Sequence, residues 1–99
     1  MTWPVRFHRA ALAEFTQATA WYEAQRDGLG HEFVTEIESA IRQLAKNPER
    51  YPMVHHETRR ILVRRFPFSM FYRIRKDAVV VLAVFHTRRN PMVWQRRRP

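Results

Sequence analysis

The chain contains no cysteine, which excludes disulfide stapling and thiolate-held zinc. It has only two glycines, Gly28 and Gly30, too few for a glycine-rich loop that cradles phosphate. Its longest apolar run, Ala78 to Phe85, falls far short of the ~20 residues that a membrane-spanning helix needs. The opening Met-Thr-Trp-Pro-Val-Arg-Phe-His lacks the apolar core of ~7–15 residues that marks a secretion signal. Together these absences predict a soluble cytoplasmic protein without membrane contact, and no cofactor is expected. Lysine is also scarce: only Lys46 and Lys76 among eighteen basic residues are not arginine. Acidic residues are scarce in one half alone, where residues 51–99 hold just Glu57 and Asp77.

What is present is a chain of 99 residues, a length that suits one domain over 1–99. A core of this size is modest, so a bound partner would add materially to its stability. Residues 1–50 carry six basic and seven acidic groups, whereas residues 51–99 carry twelve basic and two acidic ones. The whole excess of positive charge, +9 overall, therefore belongs to the second half. Arginine prefers planar, bidentate contacts with carboxylate or phosphate. The expected partner is an acidic protein, a nucleic acid or both, as against a merely solvated basic face.

Hydrophobic spacing changes along the chain. Trp3 to His8 alternates as a short strand. Ala11, Phe15, Ala18 and Tyr22 fall at helical spacing, with Glu14 and Gln17 on other faces, and predict a helix from about Arg9 to Ala24. Asp27-Gly28-Leu29-Gly30 breaks it. A second helix is predicted from about Gly30 to Lys46, with Phe33, Ile37, Ala40, Ile41 and Leu44 as its apolar stripe and Asn47-Pro48 as its stop. So short a linker implies an antiparallel helical hairpin. Three strands follow: Arg59 to Phe66, Phe68 to Arg75, and the continuous apolar run Val79 to His86, which suits a central strand. Pro67 separates the first two and Lys76-Asp77 turns between the last two. The residues from Gln95 onward read as frayed. The order βααβββ predicts an α+β fold, a helical hairpin packed on a small, mainly antiparallel sheet.

Candidate chemistry is narrow. None of the five histidines has the helical spacing with a glutamate that a zinc site needs, so no metal is expected. Ser69, His86 and Asp77 would form a nucleophilic triad only on paper, and Asp77 is better explained by its turn. Arg59, Arg60, Arg64 and Arg65 crowd the first strand of the basic half. Arg73 and Arg75 alternate away from Tyr72 and Ile74 on the next strand, and His86 is followed closely by Arg88 and Arg89. Such a groove can hold a phosphodiester, with a histidine as proton donor or acceptor and arginines against the charge of the transition state. It can equally be a surface for an acidic protein partner or a solvated one, with His86 a strand-end histidine bonded to backbone. Trp21, Trp94, Phe66 and Phe68 are either base-stacking platforms or packing residues. Trp21 and Phe68 are assigned to the core. Trp94, framed by Arg89 and Arg96, is read first as an anchor for the tail and kept as a candidate contact.

These residues also carry a family likeness over nearly the whole chain. Ala20-Trp21-Tyr22-Glu23, then Leu29-Gly30 and a helix holding Phe33 and ending at Asn47-Pro48, resembles the N-terminal half of ParE-type toxins. The segments from Arg59 to Phe68 and from Phe71 to Ile74 resemble the hairpin of that family. Val81 to His86, followed by Arg89, Pro91, Trp94 and Arg96, resembles its closing strand and tail. The resemblance to the RelE/ParE superfamily implies the toxin of a type II toxin–antitoxin pair, held in a hetero-oligomer by a cognate acidic, ParD-like antitoxin. It further implies one of two targets. ParE-like members poison DNA gyrase without being enzymes themselves; RelE-like members enter the ribosome and cut mRNA, often with a tyrosine near the C-terminus. The chain has no tyrosine after Tyr72, so the gyrase reading is preferred. Under the ribonuclease alternative Arg65, His86 and Arg89 would be catalytic. Under either, Arg59, Arg60, Arg64, Arg73, Arg75, Arg88, Trp94 and Arg96 are the candidate target- or antitoxin-binding residues. A third reading is a basic binding module that has lost toxicity.

Overall fold

The computed structural model describes residues 2–99. The chain starts with strand β1 (Val5–Phe7) and passes into helix α1 (Arg9–Gln25), capped by His8, whose Nδ1 accepts the Ala10 N–H at 3.0 Å. Helix α2 (Leu29–Lys46) follows, then a single 3-10 turn (Pro48–Arg50). Strands β2 (Met53–His55), β3 (Thr58–Leu62), β4 (Phe68–Arg75) and β5 (Ala78–His86) come next, and a one-turn helix α3 (Met92–Gln95). The strands form one sheet in the order β1-β5-β4-β3-β2, with β1 parallel to β5 and the other neighbours antiparallel. This is the α+β fold expected, a helical hairpin on a mainly antiparallel sheet with β5 near its centre.

The loop between the helices is held by one side chain. Glu23 accepts the backbone N–H groups of Gly28 and Gly30, both at 2.9 Å. Gly28 has φ +87°, a region that side chains other than glycine rarely enter. At Gly30 an added Cβ would stand 2.9 Å from the Thr19 carbonyl and from the Glu23 carboxylate. The helices can approach this closely only over glycine.

The core lies between α2 and one face of the sheet. Phe33, Ile37, Ala40 and Leu44, at helical spacing, are buried against Ile61, Met70, Tyr72, Val79, Val81 and Val84. Each large side chain removed from water here contributes roughly 1.5–3 kcal/mol. Tyr72 is wholly buried and its hydroxyl donates to the Pro48 carbonyl at 2.6 Å, tying the 3-10 turn to the sheet. Helix α1 buries only Ala11 fully and leans on the core through Phe15, Ala18 and Tyr22. At the Phe68 end, Phe33 and Tyr22 meet Phe66 and Phe68, with ring centroids 5.1 Å apart for Phe33–Phe66 and 4.8 Å for Tyr22–Phe66.

The other face of the sheet carries a second, smaller cluster of Ala83, Phe85 and Trp94, with Phe71 packed on it. Helix α3 makes this cluster by laying Trp94 on Phe71, ring centroids 4.0 Å apart and nearly parallel at 17°.

Several expectations need correction. The first strand of the basic half ends at Leu62 rather than Phe66. Beyond it Val63 donates to the Phe68 carbonyl at 3.0 Å, Arg65 turns back at φ +70°, and Pro67 has no N–H for a ladder. The short β2 and α3 lie below the length at which periodicity is legible. Trp21 is not core; it is 60% exposed on α1. The tail is not frayed from Gln95, because Arg97 is bonded into the body of the protein.

Candidate functional site

Helix α1 carries a carboxylate inside its apolar stripe. Glu14 stands between Ala11 and Ala18, one turn from each, and so faces the sheet. Beyond Phe7 the β1 side of β5 has no strand partner, and Glu14 fills the gap by accepting the Val84 N–H at 3.1 Å. Arg97 completes the seal. Its guanidinium donates to both Glu14 oxygens, at 2.9 and 2.8 Å, and to the Leu82 carbonyl at 2.9 Å. Arg89 reaches the same carboxylate at 3.0 Å and lies over the Phe85 ring at 4.2 Å. Neither Glu14 nor Arg97 was among the expected site residues, and the expectation that Glu14 lies on a face of α1 away from the apolar stripe is corrected by its hydrogen bond to the Val84 N–H.

This clasp positions the end of β5 and the segment after it. His86, Arg89 and Trp94 line a concavity of about 290 Å³ on the face that α3 covers, together with Arg60, Ser69, Thr87 and Gln95. Val54, Phe71, Phe85 and Pro91 supply its apolar lining. His86 Nδ1 accepts the Arg88 N–H at 3.1 Å, which leaves Nε2 to carry the proton of the neutral ring. Arg60, Arg89 and His86 therefore give the concavity a basic lining, with one guanidinium nitrogen of Arg89 turned to Glu14. Trp94 is 2% exposed and its Nε1 is a buried donor with no protein acceptor.

His86 is also at the rim of an apolar cleft of about 380 Å³, lined by Ala18, Trp21, Tyr22, Pro67 and Phe68.

The remaining candidates scatter. Arg65 does not join His86 and Arg89; it is ion-paired with α2, to Glu32 at 2.7 Å and Glu36 at 3.6 Å. Donating a hydrogen bond to Glu32 raises the Arg65 pKa, while the hydrogen bonds that Glu32 accepts from Arg26 and Arg65 lower its own. Arg59 is spent on the backbone, donating to the carbonyls of Glu49 and Tyr51 at 2.8 and 2.7 Å. Arg73 pairs with Glu57 at 2.6 Å. Arg64, Arg75, Arg88 and Arg96 are exposed. Trp94 is buried beneath the tail, so its ring offers no free face; it acts as the anchor. Among the described residues no group of three or more histidines or carboxylates is placed to hold a metal ion.

The ParE toxin of the type II toxin–antitoxin system parDE describes the family model that matches residues 5–91. The chain belongs to the ParE toxin family. It is the toxin component of such a pair by family, within the larger RelE/ParE superfamily. A solved chain of the chromosomal ParDE toxin–antitoxin system from P. aeruginosa has the same fold. The two share 18% identity at a TM-score of 0.73, over 86% of this chain and 96% of that one. No curated protein matches. The family match ends at Pro91, so α3, Trp94 and Arg97 lie beyond it.

Proposed function

We propose that this ParE-family toxin acts by binding DNA gyrase, without being an enzyme itself, and that an acidic ParD-like antitoxin neutralises it in a cytoplasmic hetero-oligomer. The observation that carries this reading is the separation of the catalytic candidates. Strand-cleaving chemistry on RNA needs a base and an acid about the scissile phosphate. Here Arg65 is locked to α2, apart from His86 and Arg89, and the one carboxylate beside those two, Glu14, is held by Arg89 and Arg97. What remains is a donor-rich surface suited to binding.

Purified toxin is expected to inhibit gyrase supercoiling at micromolar concentration and to halt DNA synthesis before translation in pulse-labelled cells. Supercoiling that proceeds unchanged ends the gyrase reading. The second reading, a ribosome-dependent endoribonuclease, draws on the proximity of His86, Arg60 and Arg89 in one concavity. It predicts that translation falls first and that alanine at His86, Arg65 and Arg89 abolishes codon-phased cuts.

A further inference from the structure

We infer that the concavity beneath α3 receives a carboxylate side chain of the antitoxin, an inference that rests on the antitoxin reading above. The chemistry of the lining selects the ligand. Arg60, Arg89 and His86 line it with basic side chains and no carboxylate of the chain lines it, Glu14 meeting Arg89 from outside. An anionic ligand is favoured by the two guanidinium groups and by a net charge of +9.

Carboxylate is favoured over nucleic acid phosphate because the aromatic rings are already occupied. Trp94 is stacked on Phe71 and Phe85 is covered by Arg89. Single-stranded RNA would need a free ring face on which to lay a base. About 290 Å³ bounded by Val54 and Pro91 on its apolar side suits one or two acidic side chains with their aliphatic stems. The rim can yield to admit them: Val54 is 41% exposed and Gln95 is half-buried.

The test is a titration of the whole chain, ¹⁵N-labelled and without antitoxin, with an acetylated hexaglutamate peptide, followed at the indole N–H signals. The chain has three tryptophans; Trp3→Phe and Trp21→Phe variants assign the Trp94 signal by elimination. Peptide is expected to shift that signal saturably, because Trp94 lines the concavity. Arg60→Ala should weaken binding by roughly tenfold, the loss of one charged hydrogen-bonding partner. Arg42→Ala, an exposed arginine of α2 outside the concavity, should leave it within about twofold. An unmoved Trp94 signal overturns the inference, as does equal weakening by both arginine variants. So does a single-stranded RNA hexamer that moves the signal where the peptide does not. Co-expression with a ParD-like antitoxin tests the antitoxin reading separately, since failed neutralisation there leaves the Trp94 titration standing.

Discussion

Arg97 meets Glu14 fork to fork, two guanidinium nitrogens on two carboxylate oxygens, across eighty-three positions of sequence. Both side chains are nearly buried, at 13% and 11% exposure. The pair closes the stretch of β5 that β1 is too short to cover, because Glu14 also takes the Val84 N–H and Arg97 the Leu82 carbonyl.

Removing Arg97 leaves the nearly buried Glu14 with Arg89 alone and the Leu82 carbonyl without its donor. Arg97→Ala is expected to destabilise the fold by about 3 kcal/mol. Urea unfolding with an unchanged slope and a lowered midpoint would confirm it. Glu14→Gln keeps the shape and the Val84 contact but not the charge, and should cost less than Arg97→Ala. Equal stability of the Arg97→Ala variant and the parent would show that the clasp is ornamental.

Two tryptophans should behave in opposite ways. Trp21 is 60% exposed and Trp94 2% exposed. Trp94→Ala is expected to cost about 3–5 kcal/mol, as large-to-small changes in packed sites do. Trp21→Ala should stay within about 0.5 kcal/mol of the parent in thermal unfolding. If Trp21→Ala also abolishes toxicity, the apolar cleft beside it becomes a partner contact.

Stability should fall at both ends of the pH scale for different reasons. Glu23 has its pKa lowered first by the Gly28 N–H and then by the Gly30 N–H. Its contribution is therefore complete above the ordinary carboxylate value of 4.5 and is lost as pH falls through the lower, folded value. Burial raises Tyr72 from 10.0 to about 12. The neutral phenol is favoured in the folded chain, so its contribution is complete below pH 10 and fades as pH climbs toward 12. Glu23→Gln should flatten the acid side of a stability–pH curve. Tyr72→Phe should flatten the alkaline side, at a cost of about 1–3 kcal/mol at neutral pH for the unpaired Pro48 carbonyl. Parallel curves for parent and variant would refute either assignment.

Much of the architecture was readable from spacing because the long elements carry it. Phe33, Ile37, Ala40 and Leu44 declare α2, and alternation from Phe68 to Ile74 declares β4. The register of hydrophobic burial then has few solutions. What escaped reading depends on contacts distant in sequence. Trp21 looked like core because α1 shows aromatic residues at helical spacing, yet α1 packs on the core along one edge and leaves that ring outside. Arg65 was grouped with His86 under the ribonuclease alternative that the resemblance implies, but it lies at a turn with φ +70° and pairs with the carboxylates of α2. Arg59 and Arg73 belong to the same class, basic in sequence and internally satisfied in structure. Arg97 carried no local signal at all; its role exists only because Glu14 lies opposite.

The outermost strands, β1 and β2, span three residues each. An edge that short presents few free amide and carbonyl groups to another molecule, and the rest of the β5 flank is taken up by side chains from α1 and the tail. Self-association by strand pairing is thereby discouraged in a protein with 45% hydrophobic residues. A toxin whose antitoxin has been removed is then expected to persist as single, active molecules rather than collect into inert aggregates.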